Sequence, residues 1–306
     1  METIKRIIPI ILLLLFGQIQ GCKKGSNQEK IDNEIGVARI TNSATLNKLN
    51  ISVLIDLSDR IDPKKNPSVA MEYYLRDVGY LESVAKTFET HLLNKKVRLI
   101  DDKIQIFIDP EPADQSINKK IGELKLQFTN ENVIKDSILN VTKKYSIISS
   151  LIYQSAIEDN NFVGSDIWGF FKSKVQDYCI DNEYRNIMII LTDGYMYHVN
   201  AIMKQENRTS YLLPNLIKSN NFNNPNWQNK LKEKDFGFIV PNQDLSDLEI
   251  LVMGINPSKG NPYEEEVIRA YWSKWFDEMK VKKYEIKQAD LPVHMEKIIQ
   301  DFILYK

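Results

Sequence analysis

The chain has 306 residues and a formal net charge of −1 at neutral pH. Hydrophobic residues make up 43% of the sequence, which is the composition of an ordinary globular protein with a sizeable core. Because the net charge is close to zero, charge alone favours neither a nucleic acid nor an acidic surface as the partner.

The first segment of the chain has the pattern of an export signal. Lys5 and Arg6 precede an apolar stretch at residues 7–16, which is too short to span a bilayer as a mature helix. Gly21 and Cys22 follow, and a small residue directly before a cysteine resembles the bacterial lipoprotein signal. The resemblance implies that Cys22 carries a lipid that anchors the protein to a membrane of the cell envelope. An ordinary secretory signal is the alternative, and the choice between inner and outer membrane stays open.

The sequence predicts three segments, which are a signal peptide at residues 1–21, a tether at 22–49 and one folded domain at 50–306. The tether is rich in Lys, Asn, Ser, Gln and Glu and poor in aromatic residues, which is typical of a flexible linker. In the domain, short apolar stretches alternate with stretches of helical periodicity. The predicted strands are 51–55, 103–109, 123–128, 187–191, 248–255 and 281–286. The predicted helices are 67–93, 132–158 (as one helix or two), 167–180, 212–218, 263–279 and 293–304. This alternation favours an α/β fold with three layers, in which a mostly parallel six-stranded sheet has helices on both faces.

Three groups of polar residues lie at strand ends or before a helix. The groups are Asp56, Ser58, Asp59 and Arg60; Gly164, Ser165 and Asp166; and Thr192, Asp193 and Gly194. The carboxyl ends of parallel strands meet at one edge of a sheet, which is where open α/β sheets bind ligands. Carboxylate and hydroxyl oxygens of this kind suit Mg²⁺.

In this order, the three groups resemble the von Willebrand factor type A domain, and the resemblance extends over residues 51–305. The family has a mainly parallel sheet with one short antiparallel edge strand, which would be the stretch at 123–128. Its members bind a divalent cation, usually Mg²⁺, at a metal-ion-dependent adhesion site, where a partner's carboxylate commonly completes the coordination. The resemblance implies that the metal ligands of this chain are Asp56, Ser58, Ser165 and Asp193.

The chain departs from the family's Asp-x-Ser-x-Ser motif at Arg60, which stands where the second serine is expected. A guanidinium is permanently charged and cannot ligate a cation. Two outcomes are open. Arg60 points away and leaves a weakened site in which Asp59 or water substitutes as a ligand, or its guanidinium pairs with Asp56 and Asp193 and no metal binds.

The expected function is a lipid-anchored binding module that recognises a protein partner at the carboxyl edge of the sheet and performs no chemistry. A structural subunit of an envelope assembly, with a degenerate metal-free site, is one alternative. A Mg²⁺-dependent phosphate-ester hydrolase is another, with Asp56 and Asp193 holding the metal. The sequence carries no Walker loop and no nucleophile elbow, so an enzyme is not expected.

Overall fold

The computed structural model describes residues 47–162, 164–241 and 243–305. A six-stranded sheet lies at the centre of this part of the chain, in the order β6-β5-β4-β1-β2-β3. The strands are β1 (Leu49–Ile55), β2 (Asp101–Ile108), β3 (Leu126–Thr129), β4 (Arg185–Leu191), β5 (Leu248–Ile255) and β6 (Lys283–Gln288). Neighbouring strands are parallel except at the edge, where β3 pairs antiparallel with β2. The predicted α/β class, the mostly parallel sheet and the antiparallel edge strand are confirmed.

Helices cover both faces of this sheet. They are α1 (Tyr73–Leu93), α2 (Gln115–Glu123), α3 (Lys135–Leu139), α4 (Val141–Asp159), α5 (Ile167–Ser173), α6 (Val175–Cys179), α7 (Pro214–Ser219), α8 (Trp227–Glu233), α9 (Glu264–Glu278) and α10 (Pro292–Leu304). Among the helices that the structure describes, none combines the length and the apolar character that crossing a bilayer requires. The predicted signal, the lipid site Cys22 and residues 22–46 of the predicted tether lie outside the described residues, and β1 begins one residue before the predicted domain.

The central strands are buried on both faces because each face supports its own apolar core. Every residue of β1, β4 and β5 is buried. Side chains alternate between the two faces along a strand, so that Val53 enters one core and the adjacent Leu54 enters the other. Continuous apolar runs are therefore the correct signal for these strands, as in other sheets that helices cover on both sides.

The structure corrects three predicted boundaries. The first helix begins at Tyr73 rather than at residue 67, because residues 67–72 form a loop whose Ser68 hydroxyl accepts a hydrogen bond from Arg76. The strand predicted at 123–128 runs from Leu126 to Thr129, because residues 115–123 form the helix α2. Asp114 caps this helix by accepting from the Ser116 N–H. The predicted helix 167–180 is two helices, which are separated at Lys174.

Residues 195–241, which the sequence left largely uninterpreted, fold back towards the carboxyl edge of the sheet. Tyr197–His198 pairs antiparallel with Gly164–Ser165 and so brings this region against the second polar group. A further small sheet combines Lys204–Gln205, Arg208–Thr209 and Gly237–Phe238. This part of the chain supplies walls of the candidate site.

A tight turn after β4 depends on Gly194, which we predict cannot be replaced without loss of stability. Gly194 has a φ of +97°, and a Cβ there would lie 2.6 Å from Ile268 Cγ2 and 2.8 Å from Ile255 Cδ1. Gly260 also has a positive φ, of +112°, but open space around it. Gly260→Ala should cost about 1 kcal/mol and Gly194→Ala about 3 kcal/mol in urea unfolding. Equal losses would show that backbone conformation alone sets the cost.

Candidate functional site

The structure brings the predicted ligand residues into one pocket at the carboxyl edge of the sheet. The pocket has a volume of about 530 Å³ and its lining includes Asp56, Ser58, Asp59, Ser165 and Asp193. Asp56 and Asp193 meet there because β1 and β4 are parallel neighbours, with Ile55 opposite Leu191. All four predicted metal ligands therefore converge, and Asp59 lies beside them.

Ser165 reaches the pocket from a different part of the chain. It belongs to the two-residue strand Gly164–Ser165, which Tyr197–His198 holds by antiparallel pairing. The N–H of the next residue, Asp166, donates to the carbonyl of Asp109 just after β2 at 2.8 Å. These contacts fix the loop between α4 and α5 against the carboxyl edge of the sheet.

The remaining walls of the pocket are aromatic and apolar. They are formed by Phe162, Gly164, Tyr195, Tyr197, Val199, Leu213 and Pro214. Among the described residues that line the pocket, none carries a positive charge. Lys65 lies close by, with its Nζ 3.6 Å from Asp59 Oδ2 and 4.9 Å from the centre of the Phe162 ring. The pocket thus combines three carboxylates with a largely apolar rim.

The Asp56 carboxylate is oriented by hydrogen bonds from its own loop and from the adjacent strand end. Its Oδ1 accepts the Ser58 N–H at 2.8 Å, and its Oδ2 accepts the Thr192 hydroxyl at 3.1 Å. A carboxylate has about four acceptor positions. Asp56 therefore keeps capacity to bind a further donor or a cation.

Arg60 lies outside the lining of the pocket and its charge is taken chiefly by Asp77. Its Nη2 donates to Asp77 Oδ2 at 2.5 Å and to the Leu191 carbonyl at 3.1 Å. Its Nε lies 3.5 Å from Asp56 Oδ2 without forming a hydrogen bond. No ion pair within 4.0 Å joins it to Asp193 in the described part of the chain. The position of Arg60 is intermediate between the two outcomes that the sequence left open, since the guanidinium borders Asp56 without filling the pocket.

Sequence analysis missed Asp77, which is buried on α1. The Tyr153 hydroxyl donates to the same Asp77 Oδ2 at 2.8 Å. A signal was present, because Asp77 stands four residues before Leu81 and seven before Val84, on the apolar face of the helix. An acid in such a position requires a buried cation as its partner, and Arg60 was a candidate.

Charge and burial together leave the pocket electronegative. Burial lowers the pKa of Arg60, but the negative charges of Asp77 and Asp56 outweigh this effect and hold it above its usual value, so the guanidinium stays charged. Burial, as the larger cause, and repulsion from Asp56, as the next, raise the pKa of Asp193 from 3.8 to about 7. A cation bound between Asp56 and Asp193 would relieve this repulsion.

The hydroxyl of Ser165 is buried without a hydrogen-bond partner among the described residues, and the residue is 4% exposed. Leaving a buried polar group unpaired costs about 1–3 kcal/mol, so each such group calls for an explanation. Ser165 lines the same pocket as Asp56 and Asp193. A ligand in that pocket would supply the missing partner.

The donor set fits a hard cation. Asp56 and Asp193 provide carboxylate oxygens, while Ser58 and Ser165 provide hydroxyls, and Mg²⁺ takes one or two carboxylates and fills its other positions with neutral oxygens and water. Across the described ranges, no group of three or more His, Cys, Asp or Glu side chains gathers as a metal site. A cation here would therefore depend on the two hydroxyls and on water.

No protein-family model matches the chain, and a search of curated proteins finds no match. The resemblance to the von Willebrand factor type A domain therefore depends on the order of the polar groups along the chain.

We predict strong coupling between Arg60 and Asp77 in protein stability. Asp77→Leu should cost about 3–5 kcal/mol because it leaves the guanidinium buried without its partner. The double variant Arg60→Met/Asp77→Leu should cost much less than the sum of the two single variants. Urea unfolding of the four proteins measures the coupling free energy.

An exposed ion pair provides the control for this cycle. Lys86 and Glu296 are 2.6 Å apart, with side chains 62% and 44% exposed. The cycle Lys86→Met/Glu296→Leu should give a coupling of about 0–1 kcal/mol. Equal coupling in the two cycles would contradict the importance assigned to Arg60 and Asp77.

The pKa of Asp193 predicts a pH dependence of stability in metal-free buffer. The folded protein keeps the Asp193 proton up to about pH 7, whereas the unfolded chain loses it near the ordinary value of 3.8. The stabilisation from the protonated form is therefore lost as pH rises through that window. The difference in unfolding free energy between Asp193→Asn and the native chain should grow by on the order of a few kcal/mol from pH 4 to pH 8. A constant difference would show that the pKa of Asp193 is not raised.

Proposed function

We propose that this chain is a binding module of the von Willebrand factor type A kind, which recognises a carboxylate of a protein partner at its pocket. The observation that carries the proposal is the unpartnered, buried hydroxyl of Ser165, which lines one pocket with Asp56 and Asp193. Residues from three separate parts of the chain bring carboxylate and hydroxyl oxygens together there. A metal-ion-dependent adhesion site requires this combination of acids and hydroxyls.

The proposed ligands of Mg²⁺ are Asp56, Ser58, Ser165 and Asp193. The bound cation would supply the positive charge that attracts a partner's carboxylate into an otherwise electronegative pocket. The chain's own contribution is orientation, because Thr192 and the Ser58 N–H hold the Asp56 carboxylate and the Tyr195 N–H donates to Asp193 Oδ1 at 3.0 Å.

The sheet topology supports the family assignment. Its mostly parallel strands, with an antiparallel edge strand beside β2 and helices on both faces, form the arrangement that the resemblance implies. Anchoring through a lipid on Cys22, and hence a place on a membrane of the cell envelope, is the part of the proposal that rests on the sequence alone. An anchored module of this kind would present its pocket to partners outside the cytoplasm.

One contact favours a metal-free variant of this function, in which the domain acts as a structural subunit. Arg60 Nε lies 3.5 Å from Asp56 and already offsets part of its charge. A hydrolase is less well supported. The raised pKa of Asp193 suits a general base, but a bound Mg²⁺ would favour the carboxylate form, so Asp193 would not serve as both ligand and base.

Calorimetry with MgCl₂ tests the proposal on the chain from Lys23 to Lys306, which contains both apolar cores. The native sequence should bind one equivalent of Mg²⁺, and Asp56→Ala should abolish binding. Ser165→Ala should weaken binding about tenfold, because it removes a ligand and leaves the cation to water. The buffer is held at pH 8, where Asp193 is deprotonated.

Ser149→Ala is the matched control for this titration. Ser149 is also a buried serine whose hydroxyl has no hydrogen-bond partner in the described part of the chain, but it lies on α4 and does not line the pocket. Its loss should leave Mg²⁺ affinity unchanged. Absence of binding by the native chain would contradict the metal site and favour the metal-free structural subunit.

A further inference from the structure

A second cavity adjoins the polar pocket. Its volume is about 310 Å³, and Phe162, Gly164 and Val199 line both spaces. We call this cavity the apolar groove, and its apolar wall includes Leu57, Ile108, Pro112, Ala113, Ala156 and Phe162. A ligand seated in the polar pocket would therefore extend directly into an apolar space.

Residues 197–202, here called the ridge, include Tyr197 in the lining of the polar pocket and Val199 in the lining of both cavities, and they expose apolar side chains. Val199 is 59% exposed, Tyr197 is 39% exposed and Ile202, three residues further, is 50% exposed. Such residues are ordinary when they are scattered, but here three lie within six positions beside a built pocket. Burial of this ridge on binding would add apolar contact to the polar contact in the pocket.

The charge on the rim of the apolar groove indicates which kind of ligand side chain would follow the apolar one. Glu111 and Asp159 line the groove, both are exposed, and neither forms an ion pair in the described part of the chain. An acidic rim attracts a basic side chain and repels a second acid. The groove and its rim together favour a ligand in which an apolar side chain is followed by a positively charged one.

We infer that the partner presents an extended peptide segment in which one acidic residue, one large apolar residue and one basic residue follow each other closely. This inference rests on the proposed function, since the acid would enter the polar pocket on its cation. The apolar side chain fills the groove and the base meets Glu111 and Asp159. Side chains two apart on an extended chain lie on the same side, about 7 Å apart. The apolar residue therefore stands two positions from the acid.

Selection from a library of random heptapeptides tests this inference on the chain from Lys23 to Lys306 at 5 mM MgCl₂. We expect enriched peptides to share an acid with a large apolar residue two positions away and a base beyond it. Enrichment of an acid without the apolar residue would overturn the inference and leave the proposed function intact. Peptides that bind equally well with EDTA, or no enriched peptide at all, would overturn both.

Two valines provide a matched pair of variants for the selected peptide. Val199 and Val97 are 59% and 60% exposed, and each begins a three-residue 3₁₀ helix. Val199 lines both cavities, whereas Val97 lines neither of them. Val97 lies shortly before β2 and so at the amino ends of the parallel strands, away from the site. Val199→Asn should weaken peptide binding about fivefold to tenfold. Val97→Asn should leave peptide binding unchanged, and equal effects of the two variants would contradict the role of the groove.

Discussion

The buried ion pair between Arg60 and Asp77 controls the charge at the carboxyl edge of the sheet. Without Asp77, the guanidinium would have Asp56 as its nearest anion and would neutralise the first residue of the site. Asp77 instead takes the closest contact, at 2.5 Å against 3.5 Å for Asp56, and Tyr153 supports the same carboxylate oxygen. The charge of Arg60 thus moderates the field at Asp56 without occupying its remaining acceptor positions.

Sheet topology supplies the second condition for the site. Parallel pairing of β1 with β4 places Asp56 and Asp193 side by side, and the Asp56 N–H donates to the last carbonyl of β4 at 3.0 Å. Residues 195–214 then cross this edge, and Tyr197–His198 holds the loop that carries Ser165. The oxygen donors are therefore fixed by the backbone of the sheet and of one short strand pair. Such positioning suits a site that must hold a ligand without further folding.

The buried strands and the convergence of the polar groups could be predicted from sequence because apolar runs and strand-end residues are local signals. Leu248–Ile255 has the predicted bounds, and the predicted ligands Asp56, Ser165 and Asp193 share one pocket. The partner of Arg60 could not be predicted in the same way, because Asp77 is 17 residues away and its contact depends on how α1 packs. The short strands beyond residue 195 were also missed, since two-residue pairings leave no periodicity to detect.

The apolar groove could not be predicted from the sequence, for a different reason. Its walls come from β2, α4 and the loops after β1 and β2, so that no single stretch of the chain carries its pattern.

The most direct test of the whole account is a crystal structure of the chain grown with MnCl₂ at pH 8. We predict an anomalous peak within coordination distance of Asp56, Ser165 and Asp193, with Arg60 still bound to Asp77. A structure without that peak, in which the guanidinium has moved onto Asp56 and Asp193, would contradict the account.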